Sequence, residues 1–189
     1  NEIILISDGS DAKTGSLTSP WEWMLPWKTI DGESKAPEAL PQLEVVLQGM
    51  CNKKVLLDLI RNFIVFEKDE RGAKKKLAAY HQYHAVNKAV LSTIRASSPA
   101  GDKRCGVVWH TQGSGKSLSM VFFTGKIVSL MNNPTVVVLT DRNDLDDQLY
   151  TTFIRCQNIL RQAPVQAETR DELKKYLSVA SGGIVFTTI

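Results

Sequence analysis

The eight residues His110-Thr111-Gln112-Gly113-Ser114-Gly115-Lys116-Ser117 constrain the fold more than any other part of the chain. They follow the apolar run Val107-Val108-Trp109 and precede Leu118, Val121 and Phe122, which recur at helical spacing. A glycine-containing loop that ends in Gly-Lys-Ser, set between a strand and a helix, is the pattern of a phosphate-binding P-loop. His110 stands where the general pattern has its first glycine, but Gly113 and Gly115 still let the backbone curl and turn its N–H groups inward. The N–H groups of Gln112, Gly113, Ser114, Gly115, Lys116 and Ser117 can then cradle a β-phosphate at a helix N-terminus. There, unpaired donors and the helix dipole both favour an anion. Lys116 supplies a mobile positive charge for the β- and γ-phosphates. The hydroxyl of Ser117 supplies one oxygen ligand for Mg²⁺. The expectation is ATP with Mg²⁺, with Lys116 and Ser117 as the catalytic pair.

The surrounding pattern supports an α/β chain. Cys105–His110 reads as a buried strand and Lys116 to about Met131 as a helix. Thr135–Thr140 is a nearly continuous apolar strand, of the kind covered on both sheet faces. Asn143–Arg155 reads as a helix capped by Asn143, with Asp144, Asp146 and Asp147 beside its positive dipole end. Thr169 and Glu172 form a capping-box pattern that opens another helix, and Gly182-Gly183 precedes a strand over Ile184–Thr188. Strands separated by helices imply a parallel sheet built from right-handed crossovers.

The first hundred residues read differently. A β-rich start over residues 2–6 is followed by a turn at Ser7-Asp8-Gly9 and an irregular stretch to about Pro41. That stretch holds Trp21, Trp23 and Trp27, expected to anchor it onto a core. Asn52 caps a helix to about Phe66, and the charged run Glu67–Lys76 reads as a solvated connector. A second helix is expected over about Lys74–Arg95, with Ala78, Gln82, Ala85, Val86, Ala89, Val90 and Thr93 on one stripe. Ser97–Asp102 ends it. His81 and His84 share a helix face without a third ligand nearby, so no metal site is expected there.

Cys51, Cys105 and Cys156 are widely spaced and form no C-x-x-C pair, which argues for reduced thiols and a cytoplasmic protein. No apolar run approaches the roughly 20 residues that cross a bilayer, so no membrane contact is expected. The formal charge of +3 is compatible with nucleic acid but does not establish it. Asn1–Ile6 does not read as a signal peptide; with no initiator Met and an apolar run open at Ile189, the sequence reads as a segment of a longer protein.

Several stretches together resemble the motor-bearing restriction subunit of type I restriction-modification enzymes. They are Ile6-Ser7-Asp8-Gly9, Gly15-Ser16-Leu17, Leu56–Phe66, Tyr80–Val90, Trp109–Met120, Thr140–Leu149 and Phe186–Ile189. The most specific is His110–Met120 followed by Thr140-Asp141-Arg142-Asn143-Asp144-Leu145-Asp146-Asp147-Gln148. The resemblance implies a superfamily 2 translocase with a RecA-like fold, in which His110–Ser117 is motif I and His110 is the usual residue. It divides the chain into 1–40, the end of a nuclease domain and an irregular connector; 41–100, a helical linker; and 101–189, the N-terminal part of the first RecA-like domain, incomplete here. Motif Ia falls on about Val137–Gln148, where Thr140 and Arg142 are candidates to touch the DNA backbone. The bland reading of Asp141-Arg142-Asn143 is a strand-to-helix turn, and both can hold together. Tyr80-His81-Gln82 with Ala85-Val86 resembles a glutamine motif whose amide reads adenine; a packing role for Gln82 stands equally beside it.

Carried to the parent protein, the resemblance implies an ATP-hydrolysing type I site-specific deoxyribonuclease that pulls double-stranded DNA before cutting it. Its partners would be the methylation and sequence-specificity subunits. Glu33-Ser34-Lys35 matches a short nuclease pattern but has no strand before it, and reads as a chance match. The nuclease residues, an acidic D-E-x-H segment and a second motor domain are expected outside these residues, leaving the isolated segment inactive. The alternative is a P-loop nucleotide switch or kinase that never touches DNA.

Overall fold

In the computed structural model, residues 3–70 and 72–189 are described. The chain forms two compact units, Asn1–Ala85 and Val86–Ile189, and the boundary falls inside one helix.

In the first unit, β1 (Ile3–Ser7) and β2 (Ala12–Ser16) form an antiparallel hairpin, so part of the stretch expected to be irregular is a strand. Asp8 closes its turn by accepting from the N–H groups of Ser10 and Asp11 at 2.9 and 2.8 Å. A short helix α1 (Gln42–Val45) runs into a π turn at Val46–Met50, and α2 spans Lys53–Asn62. Asn52 caps α2 as expected, its Oδ1 accepting from the Lys54 N–H at 3.1 Å. The helix stops earlier than expected, and Ile64 enters a second antiparallel hairpin, β3 (Ile64–Asp69) with β4 (Gly72–Leu77). The charged run read as a solvated connector is therefore largely strand. Helix α3 begins at Tyr80 rather than near Lys74, and runs to Ser97.

Trp27 sits at the centre of this unit, 2% exposed, with ring centroids 5.7 Å from Tyr83 and 5.6 Å from His84. A Cβ on Gly49 would lie 2.3 Å from the Thr29 carbonyl oxygen and 2.8 Å from Trp27 Nε1, so this approach requires glycine. The expectation for the three tryptophans holds for Trp27 alone. Trp21 and Trp23 are exposed, each with a lysine ammonium over its ring, from Lys13 at 4.3 Å and Lys76 at 4.4 Å.

The second unit carries the parallel sheet. Helix α4 (Lys116–Leu130) leads to β5 (Val136–Thr140), and α5 (Asn143–Arg155) and α6 (Gln157–Leu160) lead to β6 (Val165–Gln166). Helix α7 (Arg170–Leu177) then precedes β7 (Ile184–Thr188). The strand order is β5-β7-β6, all parallel, which bears out the α/β expectation. Central β7 is buried from Ile184 to Thr187, and Phe186 meets the rings of Phe153 at 4.9 Å and Tyr150 at 5.3 Å. Gly125 lets α4 approach α6, since a Cβ there would lie 3.1 Å from the Ile159 carbonyl oxygen.

Two sequence expectations fail here. Cys105–His110 forms no strand and is not buried: Val107 is 93% and Trp109 80% exposed. In β5 only Val138 is buried, whereas Val137 and Leu139 lie open, so the strand is not covered on both faces. Both are ladder and layer properties, set by remote partners rather than by local apolar content.

Candidate nucleotide and nucleic-acid site

The P-loop residues form one exposed turn running into α4. Gly113 and Gly115 both have φ of 79°, the left-handed region where an L side chain costs about 1–2 kcal/mol. Gly115 is the N-cap of α4 and offers no side-chain cap. The N–H groups of Lys116 and Ser117 therefore receive no cap from the N-cap side chain and lie where a helix has no intrahelical acceptor. Ser114 tightens the turn by donating from Oγ to the Thr111 carbonyl oxygen at 2.8 Å. Lys116 Nζ folds back over the loop and donates to the carbonyl oxygens of His110 at 3.2 Å and Thr111 at 3.1 Å. The arrangement presents donors and a positive charge, with an acceptor hydroxyl at Ser117, which is the chemistry a magnesium-bound polyphosphate requires. Among the described residues no group of three or more His, Cys, Asp or Glu could hold a metal ion. A magnesium ion here would be held by Ser117 together with phosphate oxygens rather than by a protein cage.

Thr140 and Arg142 occupy the turn between β5 and α5. Arg142 is the N-cap of α5 and makes no side-chain cap, so Asn143 is the first helical residue and not the cap expected. The Arg142 guanidinium instead grips Asp144 in two bonds, Nε to Oδ1 at 3.0 Å and Nη2 to Oδ2 at 2.7 Å. Both side chains are more than half exposed, at 64% and 55%. Thr140 Oγ1 lies 3.0 Å from Asp146 Oδ1. Asp146, read from the sequence only as a dipole partner, is buried at 2% exposure and also accepts from Gln166 Nε2 at 2.7 Å. One signal was available: Asp146 falls on the same helical face as Tyr150 and Phe153, an acid on an apolar stripe.

Gln82 lies in the first unit and is 6% exposed, on the stripe with Val86 and Val90. Its Oε1 accepts from the Ala79 N–H at 2.9 Å, which satisfies a donor at the start of α3 as the third residue of a capping box does. His84 packs against Trp27, and Glu33 and Lys35 lie in a loop closed by Asp31. Hydrogen bonds from the backbone N–H groups of Glu33 and then Ser34 hold the Asp31 carboxyl below the usual carboxylate range.

The family described as SWI2/SNF2 ATPase matches residues 81–189, which takes in α3, the P-loop, the parallel sheet and α5. The chain belongs to that family. Membership of the SWI2/SNF2 ATPases carries ATP binding with it and accounts for a P-loop set before a parallel sheet. Over its full length this SWI2/SNF2 chain is 48% identical to the type I restriction enzyme HindI endonuclease subunit of Haemophilus influenzae, of which it covers 18%. It is 32% identical, again over its full length, to a putative type I restriction enzyme MjaIXP endonuclease subunit of Methanocaldococcus jannaschii, covering 19% of it. Over 71% of the chain it is 29% identical to the SauCOLORF180P endonuclease subunit of Staphylococcus aureus, covering 13% of that protein. The chain thus spans about a fifth of the length of the Haemophilus influenzae and MjaIXP relatives. No helix among the described residues is long and apolar enough to cross a membrane.

Proposed function

We propose that this chain is the nucleotide-binding part of an ATP-driven DNA translocase and endonuclease subunit of the type I restriction kind. The observation that carries the reading is the P-loop before a parallel sheet in a chain matched from end to end by endonuclease subunits. Residues 112–117 would hold the phosphates, with Lys116 leaving the carbonyl oxygens of His110 and Thr111 for the β- and γ-phosphates. Ser117 would hold the magnesium ion, which when bound neutralises charge developing on the transferring phosphoryl group. Arg142, with the turn around Thr140, would meet the DNA backbone without reading sequence. Methylation and specificity subunits would be the partners in the assembled enzyme, in the cytoplasm. The resemblance assigns adenine recognition to Gln82. An amide both donates and accepts, which suits the adenine edge.

The test uses the whole protein. Lys116→Ala is expected to abolish ATP hydrolysis and ATP-dependent DNA cleavage with the fold intact, since the side chain is exposed and leaves no cavity. An ATPase rate within a factor of about two of wild type would sink the assignment, because this charge-assisted contact should be worth more than 1.5 kcal/mol. In the same titrations Gln82→Glu keeps the acceptor for Ala79 and removes the donor. It should lower the preference for ATP over GTP; an unchanged preference leaves Gln82 as a capping residue.

A further inference from the structure

We propose that Asp146 is a positioning residue and that Thr140 is its anchor. A DNA phosphate at the β5–α5 turn is then met by Arg142 and backbone N–H groups, and not by the Thr140 hydroxyl. The proposal rests on the DNA reading above and changes which atoms carry it.

The two oxygens of the buried Asp146 carboxylate face two donors. Oδ1 takes the Thr140 hydroxyl at 3.0 Å and Oδ2 takes Gln166 Nε2 at 2.7 Å. Gln166 Nε2 also faces Asp147 Oδ1 at 3.0 Å, so the amide must turn its NH₂ group toward both acids. Both oxygens of the Asp146 side chain then act as acceptors. The single proton of the Thr140 hydroxyl is therefore committed inward. A phosphate oxygen is an acceptor as well, so nothing on that side chain remains to donate to it.

The same carboxylate fixes the turn on both sides. Thr140 ends β5 and Gln166 ends β6, two strands separated by β7, so Asp146 ties their C-terminal ends across a third strand. Its own N–H donates to the Arg142 carbonyl oxygen at 3.0 Å. The charge is tolerated at this depth because it lies in the first turn of α5, beside the positive end of the helix dipole. Residues 140–142 are thus held from below by one acid, with Arg142 exposed above.

A double-mutant cycle in the whole protein decides between anchor and donor. The readout is the DNA concentration that gives half-maximal stimulation of ATP hydrolysis, at fixed salt. Thr140→Val and Asp146→Ala are each expected to raise it about tenfold, as loss of a hydrogen bond to a charged group would. The double variant should be no worse than the worse single one, because both remove the same bond. Thr140→Ser keeps the hydroxyl and should stay within about twofold of wild type. Losses that multiply in the double variant would overturn the anchor and return the hydroxyl to the phosphate. Asp146→Asn, of the same shape, replaces Asp146→Ala in the cycle if the alanine variant fails to fold. A wild-type ATPase that DNA does not stimulate would remove the DNA reading instead. The cycle is then read in thermal midpoints, where additive shifts overturn the anchor and non-additive shifts support it.

Discussion

Arg142 spends its guanidinium on a carboxylate two residues away, and an exposed pair of this kind is worth about 0.2–1 kcal/mol. On the proposed DNA reading, a phosphate would displace Asp144 at that small cost, which would make Asp144 an internal competitor for the same fork. Arg142→Ala should weaken DNA stimulation of the ATPase and lower the log-log salt slope of DNA binding by about one. Asp144→Asn should do the reverse and tighten DNA about two- to fivefold, the equivalent of the pair it breaks. DNA titrations at several salt concentrations check both, and a tightening absent in Asp144→Asn would show that the pair does not restrain Arg142. The candidates that sequence alone could name are those whose chemistry is contiguous: Gly115, Lys116 and Ser117 are neighbours in the chain. Asp146 was missed because its partners, Thr140 and Gln166, stand 6 and 20 positions away and meet it only through the parallel sheet.

Helix α7 shows what local chemistry can and cannot hold. Thr169 accepts from the Glu172 N–H at 3.2 Å, and Glu172 returns a bond to the Thr169 N–H, a complete capping box. No residue of α7 is fully buried, although Leu173 and Tyr176 are half-buried and the helix touches β7, so much of its local order falls to the cap. Thr169→Ala should cost the helix about 1 kcal/mol, and the loss should appear as local fraying rather than as a change in global stability. Amide exchange within residues 170–177 is expected to speed up about fivefold with little shift of the denaturation midpoint. An unchanged exchange rate would show that the box does not hold the helix. This box, the Asn52 cap, the α4 and α5 spans and β7 were all legible, because caps and periodicity lie within a few residues of one another. The β3–β4 hairpin was not, since Ile64, Val65 and Phe66 continue the apolar face of α2 without a break. Only pairing with Lys75, Lys76 and Leu77 makes them a strand. The same dependence works in reverse at Cys105–His110, where a strand-like sequence meets no ladder among the described residues.

At the scale of the whole molecule the described residues form two apolar centres, one on each side of the Ala85–Val86 boundary. The first gathers Trp27, Val45, Val46, Met50, Leu59 and Phe63; the second gathers Phe122, Val138, Phe153, Leu160, Ile184 and Phe186. The first has two antiparallel hairpins and the second the parallel sheet, and each carries its own probe. Trp27 is buried in the first, and Cys156 is fully buried in the second, beside the helix bearing Phe153. Separate cores predict separate cooperative units, in which a packing defect lowers the stability of its own side. Met50→Ala should shift the denaturant midpoint read by Trp27 fluorescence, in a background where Trp21, Trp23 and Trp109 are phenylalanine. It should leave the midpoint for labelling of the Cys156 thiol in place, with Cys51 and Cys105 replaced by serine. Phe186→Leu should do the opposite, and each loss should fall within roughly 0.5–3 kcal/mol, the usual range for a core substitution. Helix α3 is the one element that runs through the boundary, from Tyr80 to Ser97. If it couples the two cores, both midpoints will move together in each variant, and the chain will unfold as one unit despite its two centres.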